Sequence, residues 1–125
     1  MKPLSRRAVL LAPMLAPVLL TMTTRRAAAH AVLSSSIPAA NATIPAAQTT
    51  FILRFNTRVD QARSRLTLVA TDGNQSVLTI LPVGEPDELS AVAIVTPGGQ
   101  MLRWQVLAAD GHITRGNMPF KAIRS

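Results

Sequence analysis

Two short segments near opposite ends of the chain carry the side chains best suited to hold a metal ion. Residues 27–29 are three alanines, which fit the A-x-A pattern of a signal-peptidase site. Cleavage after Ala29 would make His30 the new amino terminus. A terminal histidine offers a free α-amine and an imidazole. These two nitrogens can close a chelate ring on one ion, which an internal histidine cannot do alone.

The second segment is Asp110-Gly111-His112. In an extended segment, residues two apart project to the same face, so a carboxylate oxygen and an imidazole nitrogen can act together. With both nitrogens of His30 they make a set of three nitrogens and one oxygen, which favours tetragonal Cu(II). His30 and His112 are the only histidines in the chain. The alternative interpretation is a turn closed by Asp110, with His112 as an ordinary exposed side chain.

The beginning of the chain predicts an export signal over residues 1–29, followed by one domain over residues 30–125. Lys2, Arg6 and Arg7 form a basic front. Residues 8–20 are mostly apolar but shorter than the roughly 20 residues that span a bilayer as a helix. The segment Ser-Arg-Arg-Ala-Val-Leu at 5–10 resembles a twin-arginine signal. A general signal peptide and an uncleaved membrane anchor are the alternatives.

The charge of the chain lies mostly in this leader. The formal net charge is +7, but five of the 13 basic residues and none of the six acids precede His30. The remaining piece has eight basic and six acidic residues, a net charge of +2. Its arginines are scattered along the sequence without a basic run, so nucleic acid is not an expected partner. Glu85, Asp87 and Glu88 are expected to form a solvated loop.

Short alternating segments separated by turn residues predict an all-β domain, an antiparallel sandwich or barrel of about seven strands. Residues 36–47, rich in proline and small residues, are expected to be an extended connection. The chain has no cysteine, so the core must be stabilised by packing without disulfides. The predicted strands cover residues 31–35, 49–56, 65–70, 76–81, 91–96, 101–106 and 118–123.

Beyond these patterns, the sequence resembles the CopC family of periplasmic copper-binding proteins over nearly all of residues 30–125. The opening resembles the family's His-Ala-x-Leu…Ser-x-Pro-Ala pattern, and the close resembles its W-x-V-x-S-x-D-G-H…G…F pattern. The matching segments are His-Ala-Val-Leu at 30–33, Ser-Ile-Pro-Ala at 36–39, Phe-Ile-Leu-Arg-Phe at 51–55, Trp-Gln-Val-Leu-Ala-Ala-Asp-Gly-His at 104–112, Gly116 and Phe120.

The resemblance implies a Greek-key β-sandwich, immunoglobulin-like or cupredoxin-like, that binds one Cu(II) per chain in the periplasm. It implies His30, Asp110 and His112 as the metal ligands and Trp104 as a buried core residue, which its alternation also predicts. The expected role is that of a monomeric, non-enzymatic carrier or buffer in copper homeostasis and resistance. Besides the copper ion, the partner that the resemblance suggests is an inner-membrane copper transporter of the CopD type.

Two departures from the family's patterns matter for the metal. Some members carry a methionine-rich loop with an extra histidine that forms a Cu(I) site, but residues 69–77 contain neither residue type. After His30 the only methionines are Met101 and Met118, so a Cu(II)-only member is expected. Some members also have a carboxylate directly after the phenylalanine-ending strand, where this chain has Asn56.

Two other functions are compatible with parts of the sequence. A copper-dependent oxidative enzyme can also use a terminal histidine on a sandwich, although such enzymes often present aromatic side chains to their substrates. A metal-free sandwich acting as an interaction module is the third hypothesis. It predicts that His30 and His112 lie far apart, so the distance between these side chains distinguishes it from both copper hypotheses.

Overall fold

A computed structural model describes residues 30–125, and the expected leader, residues 1–29, lies outside the described residues. The described part of the chain contains no helix long and apolar enough to cross a membrane. Residues 30–125 form eight strands, in chain order β1 (Leu33–Ile37), β2 (Thr43–Pro45), β3 (Gln48–Phe55), β4 (Arg65–Val69), β5 (Gln75–Leu78), β6 (Glu88–Ile94), β7 (Gly98–Leu107) and β8 (Ile113–Ile123).

The strands make two sheets that enclose one core. One sheet has the order β1-β3-β6 and the other has the order β2-β8-β7-β4-β5. Neighbouring strands are antiparallel except for β2 and β8, which are parallel. The chain changes sheet at every connection except β4–β5 and β7–β8. The predicted all-β sandwich is therefore confirmed.

One strand more than predicted is present, and it is β2, which lies where the sequence predicted only an extended connection. Residues Thr43 to Pro45 pair with Lys121 to Ile123 at the end of β8. This position is the edge of the five-stranded sheet. An edge strand pairs on one side only, so it tolerates a proline that cannot donate a hydrogen bond. Because three residues are too few to show the two-residue alternation of a strand, β2 could not be predicted from the sequence pattern.

The start of β6 differs from the prediction in a second way. Glu88 was expected in a solvated loop with Glu85 and Asp87, but it begins β6 and is buried. The β3–β6 register places it opposite Arg54, and the two side chains form an ion pair. The Glu85 N–H also donates to Glu88 Oε2 at 3.4 Å. The prediction was wrong for Glu88 because the partner of this acid lies 34 residues away in sequence.

The aromatic side chains lie in the core between the two sheets, as their alternation predicted. Phe51 packs against Phe120 with ring centroids 5.4 Å apart, and Phe55 meets the edge of Trp104 at 5.2 Å. The Trp104 ring lies over Gly116, where a Cβ atom would be only 2.2 Å from Trp104 Cζ2. Glycine at this position leaves the space that the indole occupies. Each aromatic contact joins the two sheets, so the core fixes one sheet against the other.

Candidate metal centre

The donor atoms of His30, Asp110 and His112 all lie within 4.8 Å of one another. The two imidazole rings are tilted by 59°, with their centroids 5.4 Å apart. All three residues are exposed at the surface. Residues separated by some 80 positions in sequence are thus brought to one spot. The wide separation of the two histidines that a metal-free module predicts is not observed.

The hairpin of β7 and β8 positions Asp110 and His112. Its ten paired positions run from Gly98 and Ala122 to Leu107 and Ile113, where the turn begins. The Ala108 N–H donates to the His112 carbonyl at 2.9 Å, and the Gly111 N–H donates to the Ala108 carbonyl at 2.9 Å. This tight return needs the left-handed backbone of Gly111, with φ of 85°.

The Asp110 carboxylate holds His112 through two hydrogen bonds. Oδ1 accepts from the His112 backbone N–H at 2.9 Å, and Oδ2 lies 3.0 Å from His112 Nδ1. These bonds, first from the ring and then from the backbone, keep the pKa of the Asp110 carboxyl below its ordinary value of 3.8. A hydrogen bond at Nδ1 fixes the orientation of the ring and leaves Nε2 for a metal. A carboxylate has about four lone-pair sites, so Asp110 can accept these bonds and still coordinate.

Asn56 fixes the segment that carries His30. Its side-chain Oδ1 accepts a hydrogen bond from the Val32 N–H at 2.8 Å, and its own backbone N–H donates to the Val32 carbonyl at 3.0 Å. Between Val32 and His30, the side chain of Ala31 is buried in the core. The backbone is therefore held one and two residues after His30, which restricts where the imidazole can lie.

The sequence brought Asn56 to attention only as the position of a missing carboxylate. Its hydrogen bond to Val32 joins residues 24 positions apart, which no local pattern reveals. The signal that could have indicated it is its place directly after β3, the strand that pairs with β1. At that place a short polar side chain can reach the backbone that enters β1.

Met101 and Met118, the two methionines in the described part of the chain, do not share a site. Met118 is fully buried in the core, and it pairs with Leu102 across the β7–β8 hairpin. Met101 is the neighbour of Leu102 along β7 and is only partly buried. Successive residues of a strand point to opposite faces of the sheet, so the two thioethers lie on opposite faces.

Comparisons with known proteins place this chain in a family. The CopC domain model matches residues 33–122, a span that includes Asp110 and His112 and begins after His30. No curated protein sequence matched the chain.

Two solved structures share the fold. CopC from Methylosinus trichosporium OB3b has a TM-score of 0.69 and 24% identity, covering 76% of this chain and 95% of its own. PcoC, a methionine-rich copper resistance protein from Escherichia coli, has a TM-score of 0.63 and 22% identity, covering 76% of this chain and 100% of its own. Because the family model spans well over half of its residues, the chain belongs to the CopC family.

Proposed function

We propose that this protein binds one Cu(II) ion per chain in the periplasm and acts as a carrier or buffer in copper homeostasis and resistance. The ligands are His30, Asp110 and His112. The observation that carries the proposal is the meeting of their donor atoms within 4.8 Å, although the residues come from opposite ends of the domain. Membership of the CopC family and the likeness to a copper resistance protein support the choice of copper.

In this proposal, proteolysis completes the site. Removal of residues 1–29 converts the His30 nitrogen from an amide into an amine, so that His30 supplies two of the four donors. His112 adds a ring nitrogen and Asp110 adds an oxygen, a set that suits tetragonal Cu(II). The hydrogen bonds around Val32 and within Asp110-Gly111-His112 hold both halves of the set before the metal arrives.

Cu(II) fits the available donors better than Cu(I). Thioether and thiolate ligands select Cu(I). The chain has no cysteine, and its two methionines after His30 lie on opposite faces of the five-stranded sheet, away from each other. Nitrogen and carboxylate donors, by contrast, converge at the candidate centre.

A binding role fits the surroundings of the site better than catalysis on a polymer. The chain has three phenylalanines, one tryptophan and no tyrosine, and all four aromatic side chains are buried in the core. The surface beside His30 and His112 therefore has no aromatic platform for a sugar chain. A monomeric carrier needs only the exposed site, from which it can exchange copper with a CopD-type transporter in the inner membrane.

The test compares two forms of residues 30–125, one beginning at His30 and one with a single glycine added before it. Competition titration should show that the added glycine weakens Cu(II) affinity about 100-fold, because the amine leaves the chelate ring. The control carries the glycine after Ser125 and should bind like the parent. Mass spectrometry of the exported protein should find His30 as its first residue. Equal affinities of all three forms would refute the chelate.

A further inference from the structure

A groove of about 330 Å³ crosses the outer face of the five-stranded sheet. The residues that line it include none of the metal ligands. Its lining is rich in hydrogen-bond donors from β4, β5, β7 and β8. The polar side chains that line it belong to Arg65, Thr67, Gln75, Arg103, Gln105 and Arg115.

The strand register gathers three arginines that are far apart in sequence. Arg65 and Arg115 both pair with Gln105, one from each side, so the three residues form one row across the sheet. Neighbouring strands are about 4.8 Å apart, which places the Cα atoms of Arg65 and Arg115 about 10 Å from each other. Arg103 lies two residues before Gln105 on the same face. The three long side chains can therefore reach one ligand.

This positive charge has no counterpart within the described part of the chain. The arginine–carboxylate ion pairs among residues 30–125 involve Arg54 and Arg63, not the three arginines of the groove. The groove receives three of the eight basic residues after position 29 and none of the six acids. The charge is thus concentrated on one face of a domain whose net charge is only +2.

The donors are also partly held in place. Arg115 Nε donates to Gln105 Oε1 at 3.0 Å, which keeps that guanidinium against the sheet while its terminal N–H groups stay available. Guanidinium groups recognise oxyanions through paired, charge-assisted hydrogen bonds. Amide groups of Gln75 and Gln105 and the hydroxyl of Thr67 add further donors around them.

We propose that this groove is a binding site for a phosphate group, either free inorganic phosphate or the phosphate of an anionic phospholipid headgroup. The three arginines supply the charge and the neighbouring amides supply orientation. The site is independent of copper, because none of its residues belongs to the candidate metal centre. The test of the phosphate site therefore gives a result that does not depend on whether the proposed copper function is correct.

The experiment uses metal-free protein beginning at His30, at constant ionic strength. Inorganic phosphate is titrated while backbone amide shifts are followed by NMR, and sedimentation is measured with phosphatidylglycerol vesicles and with phosphatidylcholine vesicles. Arg103→Gln with Arg115→Gln tests the groove. Lys121→Gln with Arg124→Gln removes the same charge from the far end of β8 and beyond. The amide spectrum of each variant reports whether it is folded.

Saturable shifts around the groove that weaken about tenfold or more in the arginine variant, and hardly in the control, would establish a free-phosphate site. Arginine-dependent sedimentation with phosphatidylglycerol alone, without saturable phosphate shifts, would identify the headgroup as the ligand. Absence of both, or an equal loss in the two variants, would overturn the proposal.

Discussion

The candidate metal centre depends on a few hydrogen bonds that hold exposed side chains in position. Asp110 holds the ring and the backbone of His112, while Asn56 holds the backbone of Val32. The residue types of His30, Asp110 and His112, together with the family resemblance, predicted a cluster as a hypothesis. Asn56 could not be predicted as a support, because its role depends on the pairing of β1 with β3.

The role of Asn56 can be tested by Asn56→Ala. Loss of the acceptor for the Val32 N–H should let the first residues move, so Cu(II) affinity should fall about tenfold, as for other supporting residues around metals. The Cu(II) electron paramagnetic resonance spectrum of the protein should broaden as well.

Asn56→Asp is the matched comparison, because it keeps an oxygen at the same position to accept from the Val32 N–H, and it should bind Cu(II) at least as tightly as the parent. If the alanine variant binds copper with parental affinity and the same spectrum, then the hydrogen bond does not position His30.

Among the elements, those with clear alternation could be predicted and those defined by a distant partner could not. Phe51, Leu53 and Phe55 indicated β3, and Trp104 indicated the inner face of β7. The early start of β6 was hidden because Glu88 looks like a loop residue until Arg54 lies opposite it. Likewise, Arg65, Arg103 and Arg115 appear scattered in the sequence and meet only through strand register.

Because of the Arg54–Glu88 ion pair, the free energy of unfolding of the metal-free protein should decrease at low pH. The hydrogen bond from Arg54 is the main cause that lowers the Glu88 pKa from its ordinary value of 4.5. A carboxyl with a lower pKa in the folded state stabilises the fold above its unfolded pKa. This stabilisation is lost as the pH falls through the folded pKa.

Denaturant unfolding of Glu88→Gln between pH 7 and pH 2.5 checks this expectation. The variant should be less stable than the parent at pH 7, and the difference should shrink below pH 4.5. Arg63→Gln, which removes a more exposed ion pair with Asp60, is the control and should change little. Parallel stability curves for Glu88→Gln and the parent would contradict the prediction.

The close packing of Gly116 in β8 against the Trp104 ring predicts that a larger residue at position 116 destabilises the fold. In Gly116→Ala the new methyl would lie 2.2 Å and 2.4 Å from two indole carbons, and a buried ring cannot easily move away. We expect the free energy of unfolding to fall by about 1–3 kcal/mol.

Gly99→Ala on β7 is the control, since a Cβ atom there has no neighbour within 4 Å. Urea unfolding followed by Trp104 fluorescence measures both variants. Equal stability of Gly116→Ala and Gly99→Ala would show that the indole can be displaced without cost.

For the whole molecule, the candidate centre joins the two sheets. His30 precedes β1 of the three-stranded sheet, whereas Asp110 and His112 lie in the hairpin of the five-stranded sheet. An ion held by all three therefore connects both halves of the sandwich. The sequence could predict the proximity of His30 to Asp110 and His112 only as a hypothesis. Nearly the whole domain lies between them in sequence, so no local pattern shows that they are close.

Under the proposed function, Cu(II) should stabilise the folded domain as a whole. Free Cu(II) at about 100 times Kd adds ~2.7 kcal/mol to the free energy of unfolding, and calorimetry should show a higher melting temperature. The increase should decline as the pH falls, because protons compete for the amine and the imidazoles. An equal increase for the form with a glycine before His30 would contradict this prediction.

Under the proposed function, the exposure of all three donors also has a kinetic consequence for copper transfer. An incoming ligand from a recipient can approach the ion from solvent and bind it before the last donor of this protein has dissociated. The copper ion can then be transferred by stepwise ligand exchange, while the core of the sandwich stays packed. High affinity for copper and rapid transfer of copper are thus compatible, because transfer requires contact with an acceptor protein and no unfolding of the carrier.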